Sequence, residues 1–174
     1  MDSILAIVGL GNPGPRFAKT RHNIGFIVLD ALAHQYDAIF TSQGNVDSTQ
    51  IRLGNQPLWL IKPRTFMNDS GKIAAFLQKK SIKAQHLLVI HDELELPFGT
   101  LKLKTGGSAK GHNGLRSIMS SIGPDFHRLR IGIGRPEQKE AVPDYVLAPF
   151  TESDEEIEKI ISKACENITS LLRN

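Results

Sequence analysis

A chain of 174 residues, 40% apolar and 22% charged, suits one soluble globular domain with a sizeable core. No apolar run approaches the roughly 18 residues of a membrane span, and the start is acidic at Asp2 rather than basic as in a targeting peptide. The single cysteine, Cys165, excludes a disulfide framework and a cysteine-rich metal site and favours a reducing cytoplasm. The net charge of +3 is uneven, with −3 on residues 151–174 and +6 on the rest. Lys102, Lys104, Lys110, Arg116, Arg128, Arg130 and Arg135 are clustered in sequence. Such a patch attracts a polyanion, although a merely solvated surface would give the same count.

In chain order, residues 3–9 read as a short buried strand ended by glycine. Gly9-Leu10-Gly11-Asn12-Pro13-Gly14 follows, spelling G-x-G-x-x-G. Residues 23–36 read as a helix with Asn23 as N-cap and Ile24, Ile27, Val28, Ala31 and Leu32 on one face. Residues 49–53 and 58–61 form a hairpin about Gly54-Asn55. Asn68 or Asp69 is placed to cap a helix through Ile73, Phe76 and Leu77 to about Lys80. A second buried strand, 87–90, ends in His91-Asp92, and 100–104 alternates apolar and basic residues as a half-exposed strand does. Gly111-His112-Asn113-Gly114 introduces a short helix over 115–121, and 129–133 is another strand. A long helix over 153–172 carries Ile157, Ile160, Ile161, Ala164, Ile168 and Leu171 on one side, with acids in its first turn where the helix dipole favours them. No repeat or linker divides the chain. Strands alternating with helices in the first half and clustering later predict an α/β fold. It is a single-domain three-layer sandwich over 1–174, with a mixed, partly parallel sheet flanked by helices. Sites in such sheets form beyond the carboxyl ends of the parallel strands, where Asn12, His22 and Asp92 all fall.

The glycine run has two incompatible readings. A dinucleotide cradle needs its helix to begin at the loop, so that free N–H groups meet the pyrophosphate. Here Pro13 and Pro15 each remove an N–H, the helix starts about nine residues after Gly14, and Asp30 falls inside it rather than at a second strand end. No P-loop and no Gly-x-Ser-x-Gly elbow occurs. None of His22, His34, His86, His91, His112 and His127 forms a helical i,i+4 pair, although His91, Asp92 and His112 could still meet His22 around a metal. What remains is Asn12, His22, Asn68, Asp92 and Asn113, each beside a glycine, a proline or a strand end. A histidine oriented by a carboxylate is a general base, and amides hold water or stabilise an oxyanion, so the set suits water attack on an acyl group. Singly, each residue is as well explained by turn or cap chemistry.

The blocks together go further. Gly9-Leu10-Gly11-Asn12-Pro13-Gly14, Thr20-Arg21-His22-Asn23-x-Gly25, Thr65-Phe66-Met67-Asn68-x-Ser70-Gly71, His91-Asp92-Glu93-Leu94, Gly111-His112-Asn113-Gly114-Leu115 and Arg128-Leu129-Arg130-Ile131-Gly132-Ile133-Gly134-Arg135-Pro136 occur in order. This pattern resembles that of bacterial-type peptidyl-tRNA hydrolases. The resemblance implies a monomeric, cytoplasmic, cofactor-free and metal-independent enzyme that cleaves the ester between a peptide and the 3′-terminal ribose of tRNA. Carried over by position, His22 is the base, Asp92 its partner and Asn68 a holder of water. Asn12, Phe17, Met67, Asn68, His112 and Asn113 contact substrate, Lys104 and Arg130 match basic positions that clamp the 5′ phosphate region of the tRNA, and Lys110 adds a cation at the cleft rim, the partner being the acceptor stem and 3′ CCA end of peptidyl-tRNA. Two positions depart from the family's usual pattern: Phe17 replaces a tyrosine, and Lys110 replaces a glycine, which implies a stiffer loop and a stronger pull on phosphate. The rivals are an RNA-binding protein without turnover, a nicotinamide oxidoreductase and a metallohydrolase.

Overall fold

Alternation between two faces builds the molecule. In a computed structural model, which describes residues 3–173, a seven-stranded sheet runs through the centre. Positions 1, 2 and 174 of the expected domain lie outside the described residues. The strands are β1 (Ala6–Gly9), β2 (Thr41–Gln43), β3 (Val46–Leu53), β4 (Gln56–Pro63), β5 (Leu87–Glu93), β6 (Leu101–Thr105) and β7 (His127–Gly132), in the order β2-β3-β4-β1-β5-β7-β6. β4, β1, β5 and β7 pair in parallel, while β2, β3 and β6 each pair antiparallel with a neighbour. The helices are α1 (Ile24–Gln35), α2 (Ala74–Lys79), α3 (Asn113–Ile122), α4 (Val142–Val146) and α5 (Asp154–Leu172).

On one face Ile7, Leu60, Leu88, Ile90, Leu129 and Ile131 join α1 and α5 in a single core. On the other Ala6, Val8, Ile61, Leu87 and Val89 pack with Leu77 of α2 and Leu115 and Ile118 of α3. Successive strand residues pointing to opposite sides therefore make three layers, as expected. Each fully buried leucine or isoleucine contributes about 1.5–3 kcal/mol of transfer free energy. Polar Ser153 starts α5 with a capping box: its Oγ accepts from the Glu156 N–H at 3.2 Å, and Glu156 Oε2 accepts from the Ser153 N–H at 3.3 Å. Ile160, Ala164, Cys165 and Ile168 turn inward, and burial, helped by Glu166, pushes the Cys165 thiol up to about 11.

The structure corrects several expectations. The three consecutive antiparallel strands stand in the first half of the chain, β2 to β4, and later in the chain α2 and α3 separate strands while β5 and β6 follow one another without a helix between them. Asn23 marks the start of α1, but its side chain does not cap it. Residues 67–73 are a 3-10 segment rather than the first turns of α2, and neither Asn68 nor Asp69 caps. The glycines after β1 also work differently. Of Gly9, Gly11 and Gly14 only Gly14 has a positive φ, 100°. A Cβ on Gly9 would lie 2.3 Å from the Gly25 carbonyl oxygen, and one on Gly25 would lie 2.4 Å from the Leu10 nitrogen. These glycines thus seat α1 directly on the sheet, which brings the segment before α1 to the strand ends. Among the described residues no helix is long and apolar enough to cross a membrane.

Candidate active site

His22 lies in a 3-10 turn, Arg21–Asn23, held on both sides by buried neighbours. Asn23, 1% exposed, spends both ends of its amide on the main chain of Asn12: Oδ1 accepts the Asn12 N–H and Nδ2 donates to the Asn12 carbonyl, each at 2.9 Å. Asn12 in turn accepts the Met67 N–H on its Oδ1 at 2.7 Å. The glycine loop, the His22 turn and the Met67 segment are thereby locked together. Arg21 donates from Nη1 to the Tyr145 carbonyl at 2.9 Å, and its N–H donates to the Ala148 carbonyl at 3.1 Å.

Asp92 arrives at the end of β5 with its side chain 2% exposed. Two imidazoles meet it: His22 Nδ1 lies 2.8 Å from Oδ2 and His112 Nε2 lies 2.8 Å from Oδ1. An ionised carboxylate only accepts, so each of these ring nitrogens carries its proton. His22 therefore keeps Nε2 as its basic atom. His112 is the N-cap of α3 and accepts the Leu115 N–H on Nδ1 at 3.3 Å, so both of its nitrogens are engaged. Burial works against a charge on His22, but the charge and hydrogen bond of Asp92 outweigh it and raise the pKa above the ordinary 6.5. Burial likewise opposes ionisation of Asp92, and the two imidazoles overcome it, holding the carboxyl well below its usual range. His91 points into the same cluster with Nδ1 on the Asp92 carbonyl at 2.8 Å, and burial followed by His112 lowers its pKa to about 3. It is a neutral, packed histidine.

A cavity of about 170 Å³ opens beside this cluster. Its lining includes His22, Asp92, His112 and Asn113, the basic residues Lys104, Lys110 and Arg130, and the apolar Val142, Pro143 and Val146 of α4. Asn12, Phe17, Met67 and Asn68 are not part of its lining. Asn68 is exposed, Asn113 is exposed with Oδ1 at 3.5 Å from Arg116 Nη1, and Met67 is buried. Its sulfur sits where a Cβ on Gly114 would come within 2.5 Å. Phe17 meets Phe66 edge to face at 6.1 Å between ring centroids, and Phe66 is 61% exposed. Arg130 Nη1 lies 3.9 Å from Glu93 Oε1. Lys110 adopts a left-handed φ of 46°, beside Gly111 at 81°.

Two members of the basic stretch have other duties. Arg128 is 2% exposed and donates to the carbonyls of Ser108, Gly107 and Pro124, tying down the loop after β6. Arg135 pairs with Glu95. Asp30, the ribose-reading candidate of the dinucleotide alternative, is exposed and bonded to Lys62 at 2.6 Å. Ligand atoms of His22, Asp92 and His112 fall within 4.8 Å of one another and could surround a cation. Both imidazole nitrogens nearest the carboxylate are already committed to hydrogen bonds with it, so a metal there would have to break both. The hydrogen bond of His112 to Asp92 depends on the order of strands in the sheet, and the two hydrogen bonds of Asn23 to Asn12 depend on how closely α1 approaches it, so neither pairing follows from spacing alone.

The family model for peptidyl-tRNA hydrolase matches residues 6–174. A peptidyl-tRNA hydrolase of Mycobacteroides abscessus is 46% identical over 157 residues, covering 88% of this chain and 80% of the relative. One of Thermodesulfovibrio yellowstonii is 43% identical over 174 residues, covering 97% and 92%. Among solved structures, a peptidyl-tRNA hydrolase of Acinetobacter baumannii superimposes with a TM-score of 0.89 at 39% identity, covering 99% of this chain and 88% of that one. A purine nucleoside phosphorylase of Toxoplasma gondii, 13% identical with a TM-score of 0.52, has a likeness of fold alone.

Proposed function

The chain belongs to the peptidyl-tRNA hydrolase family, and we propose that it hydrolyses the ester joining a peptide to the 3′-terminal ribose of tRNA with His22 as the base. One observation carries the assignment of the base: His22 Nδ1 is fixed on Asp92 at 2.8 Å, while His22 itself borders the cavity beyond the parallel strand ends. That geometry leaves Nε2 to take a proton from water. The hydroxide attacks the peptidyl carbonyl, the tetrahedral intermediate collapses, and the proton on His22 passes to the departing ribose oxygen. Asp92 does not take the proton. It fixes the tautomer and stabilises the imidazolium while it exists. Family position gives Asn68, outside the cavity lining, the role of holding the water, and an amide side chain donates to the oxyanion. An ester is activated enough for the roughly 10²–10⁴-fold that general base catalysis contributes to be a substantial share of the rate.

Lys104, Lys110 and Arg130 line the same cavity as the base, and their charge suits the phosphates of the acceptor stem. Met67 and Phe17 serve the peptide and the 3′ end on the flank where the glycine loop meets Met67. His112 acts on substrate only at the cavity edge, its nitrogens being engaged. The protein works as a monomer of one unit, 1–174, in the cytoplasm, without metal or cofactor. His22→Ala tests the central claim with an N-acylated aminoacyl-tRNA as substrate. Turnover is lost while tRNA binding persists. Full turnover by His22→Ala would refute the base assignment, and sensitivity of the wild-type enzyme to chelators would refute metal independence.

A further inference from the structure

The turn that carries His22 has a second brace, and its chemistry is unusual. Arg21 is 4% exposed, yet among the described residues no carboxylate lies within ion-pair distance of it. Its guanidinium lies instead on the ring of Tyr145, 3.8 Å from carbon to centroid, and donates to the carbonyl of that same residue at 2.9 Å. Its Nε is buried without a partner. The main chain repeats the attachment: the Arg21 N–H bonds to the Ala148 carbonyl, and Thr20 forms an isolated bridge with Pro149. Tyr145 is itself fixed, its hydroxyl donating to the Ile133 carbonyl at 2.5 Å, just beyond β7. One residue of α4 thus links the end of β7 to the turn of the base, and α4 also supplies the apolar cavity wall.

A cation buried without a countercharge is costly, and an apolar side chain of similar length would spare that cost. Stability alone does not account for an arginine here. A planar fork, however, can stack on a ring and point a donor at a carbonyl at once, which fixes direction better than a flexible ammonium or an apolar stem. We propose that Arg21 is a positioning residue for His22: braced on Tyr145, it holds the 3-10 turn so that the imidazole stays registered between Asp92 and the cavity. A displacement of about 1 Å at a reacting group can cost on the order of 100-fold in rate. The inference rests on His22 being the base.

The test compares wild type, Arg21→Met, Arg21→Lys and His22→Ala in steady-state hydrolysis of N-acetylated aminoacyl-tRNA, with melting temperatures measured alongside. Arg21→Met is expected to lower kcat at least about tenfold with KM within about twofold, and to leave Tm unchanged or higher. Arg21→Lys recovers part of the loss. An unchanged kcat, or a rise in KM with kcat intact, overturns the proposal. So does a Tm loss on Arg21→Met with full kcat in the folded fraction, since that marks a purely structural arginine. If Arg21→Met fails to fold, Tyr145→Leu, which removes the ring but keeps the carbonyl, must show the same kcat loss at constant KM. The His22→Ala arm separates the two failures: turnover by His22→Ala removes the base reading, whereas its loss together with full kcat in Arg21→Met removes only the role of Arg21.

Discussion

Asp92→Asn is the substitution whose consequence follows most directly from the geometry. The carboxylate accepts two N–H groups at once, from His22 at 2.8 Å and from His112 at 2.8 Å. Asparagine has the same shape but one acceptor and one donor. Its NH₂ must therefore face one imidazole, and His112 is the less adaptable partner because Leu115 already donates to its other nitrogen. The amide oxygen then stays with His112, and the NH₂ confronts Nδ1 of His22. To accept that bond, His22 must move its proton to Nε2, the atom that should take the proton from water. A base in the wrong tautomer forfeits its contribution, about 10²–10⁴-fold in kcat. The side chains bury the same volume, so KM for an N-acylated aminoacyl-tRNA changes little. Stability responds in a defined direction. The native carboxyl is held below its ordinary 3.8, so Asp92 stabilises the fold above that pH and the gain fades as acid is added. Asp92→Asn should unfold less steeply with acid than wild type. A kcat within threefold of wild type would refute the shared-acceptor argument, whatever happened to stability.

Three further outcomes follow from other parts of the molecule. Because Asp92 raises the pKa of His22 and the base must be neutral, kcat/KM should fall on the acid side with a midpoint above 6.5, and a midpoint at or below 6.5 would contradict the coupling. Lys110→Gly removes a left-handed lysine, a relief of about 1–2 kcal/mol against about 0.5–1 kcal/mol of added chain entropy. It should raise Tm by a degree or two while flattening the salt dependence of tRNA affinity by about one phosphate contact, and an unchanged slope would show that Lys110 does not reach phosphate. Gly25→Ala places a Cβ 2.4 Å from the Leu10 nitrogen and 2.5 Å from the Ile90 oxygen, both main-chain atoms, so α1 must lift from the sheet. Urea unfolding should show a loss of about 3 kcal/mol or more, and a loss under 1 kcal/mol would mean that the helix is free to shift.

What the sequence conveys about this site is set by how local each interaction is. The prolines at 13 and 15 and the late start of α1 suffice to argue against a cofactor cradle, because both facts concern neighbouring backbone groups. Buried strands at β1 and β5 are equally legible, since they need only apolar runs with glycine or polar ends. The clamp of Asn23 on Asn12 is harder to foresee. An asparagine before a helix has the composition of a cap, and only the approach of α1 to the sheet, allowed by Gly9 and Gly25, brings the Asn12 main chain within reach of it. His112 and Asp92 stand 20 residues apart in sequence and meet because β5 lies beside β7 and α3 covers the neighbouring face. Arg21 and Tyr145 are 124 residues apart and meet for the same kind of reason. The glycine run and the Thr-Arg-His-Asn block that follows it thus belong to one device. Gly9 and Gly25 let the helix sit on the strands, Asn23 uses that closeness to clamp Asn12, and Arg21, on the other side of His22, is braced on Tyr145. A pattern that imitates a phosphate loop is explained by where it puts an imidazole.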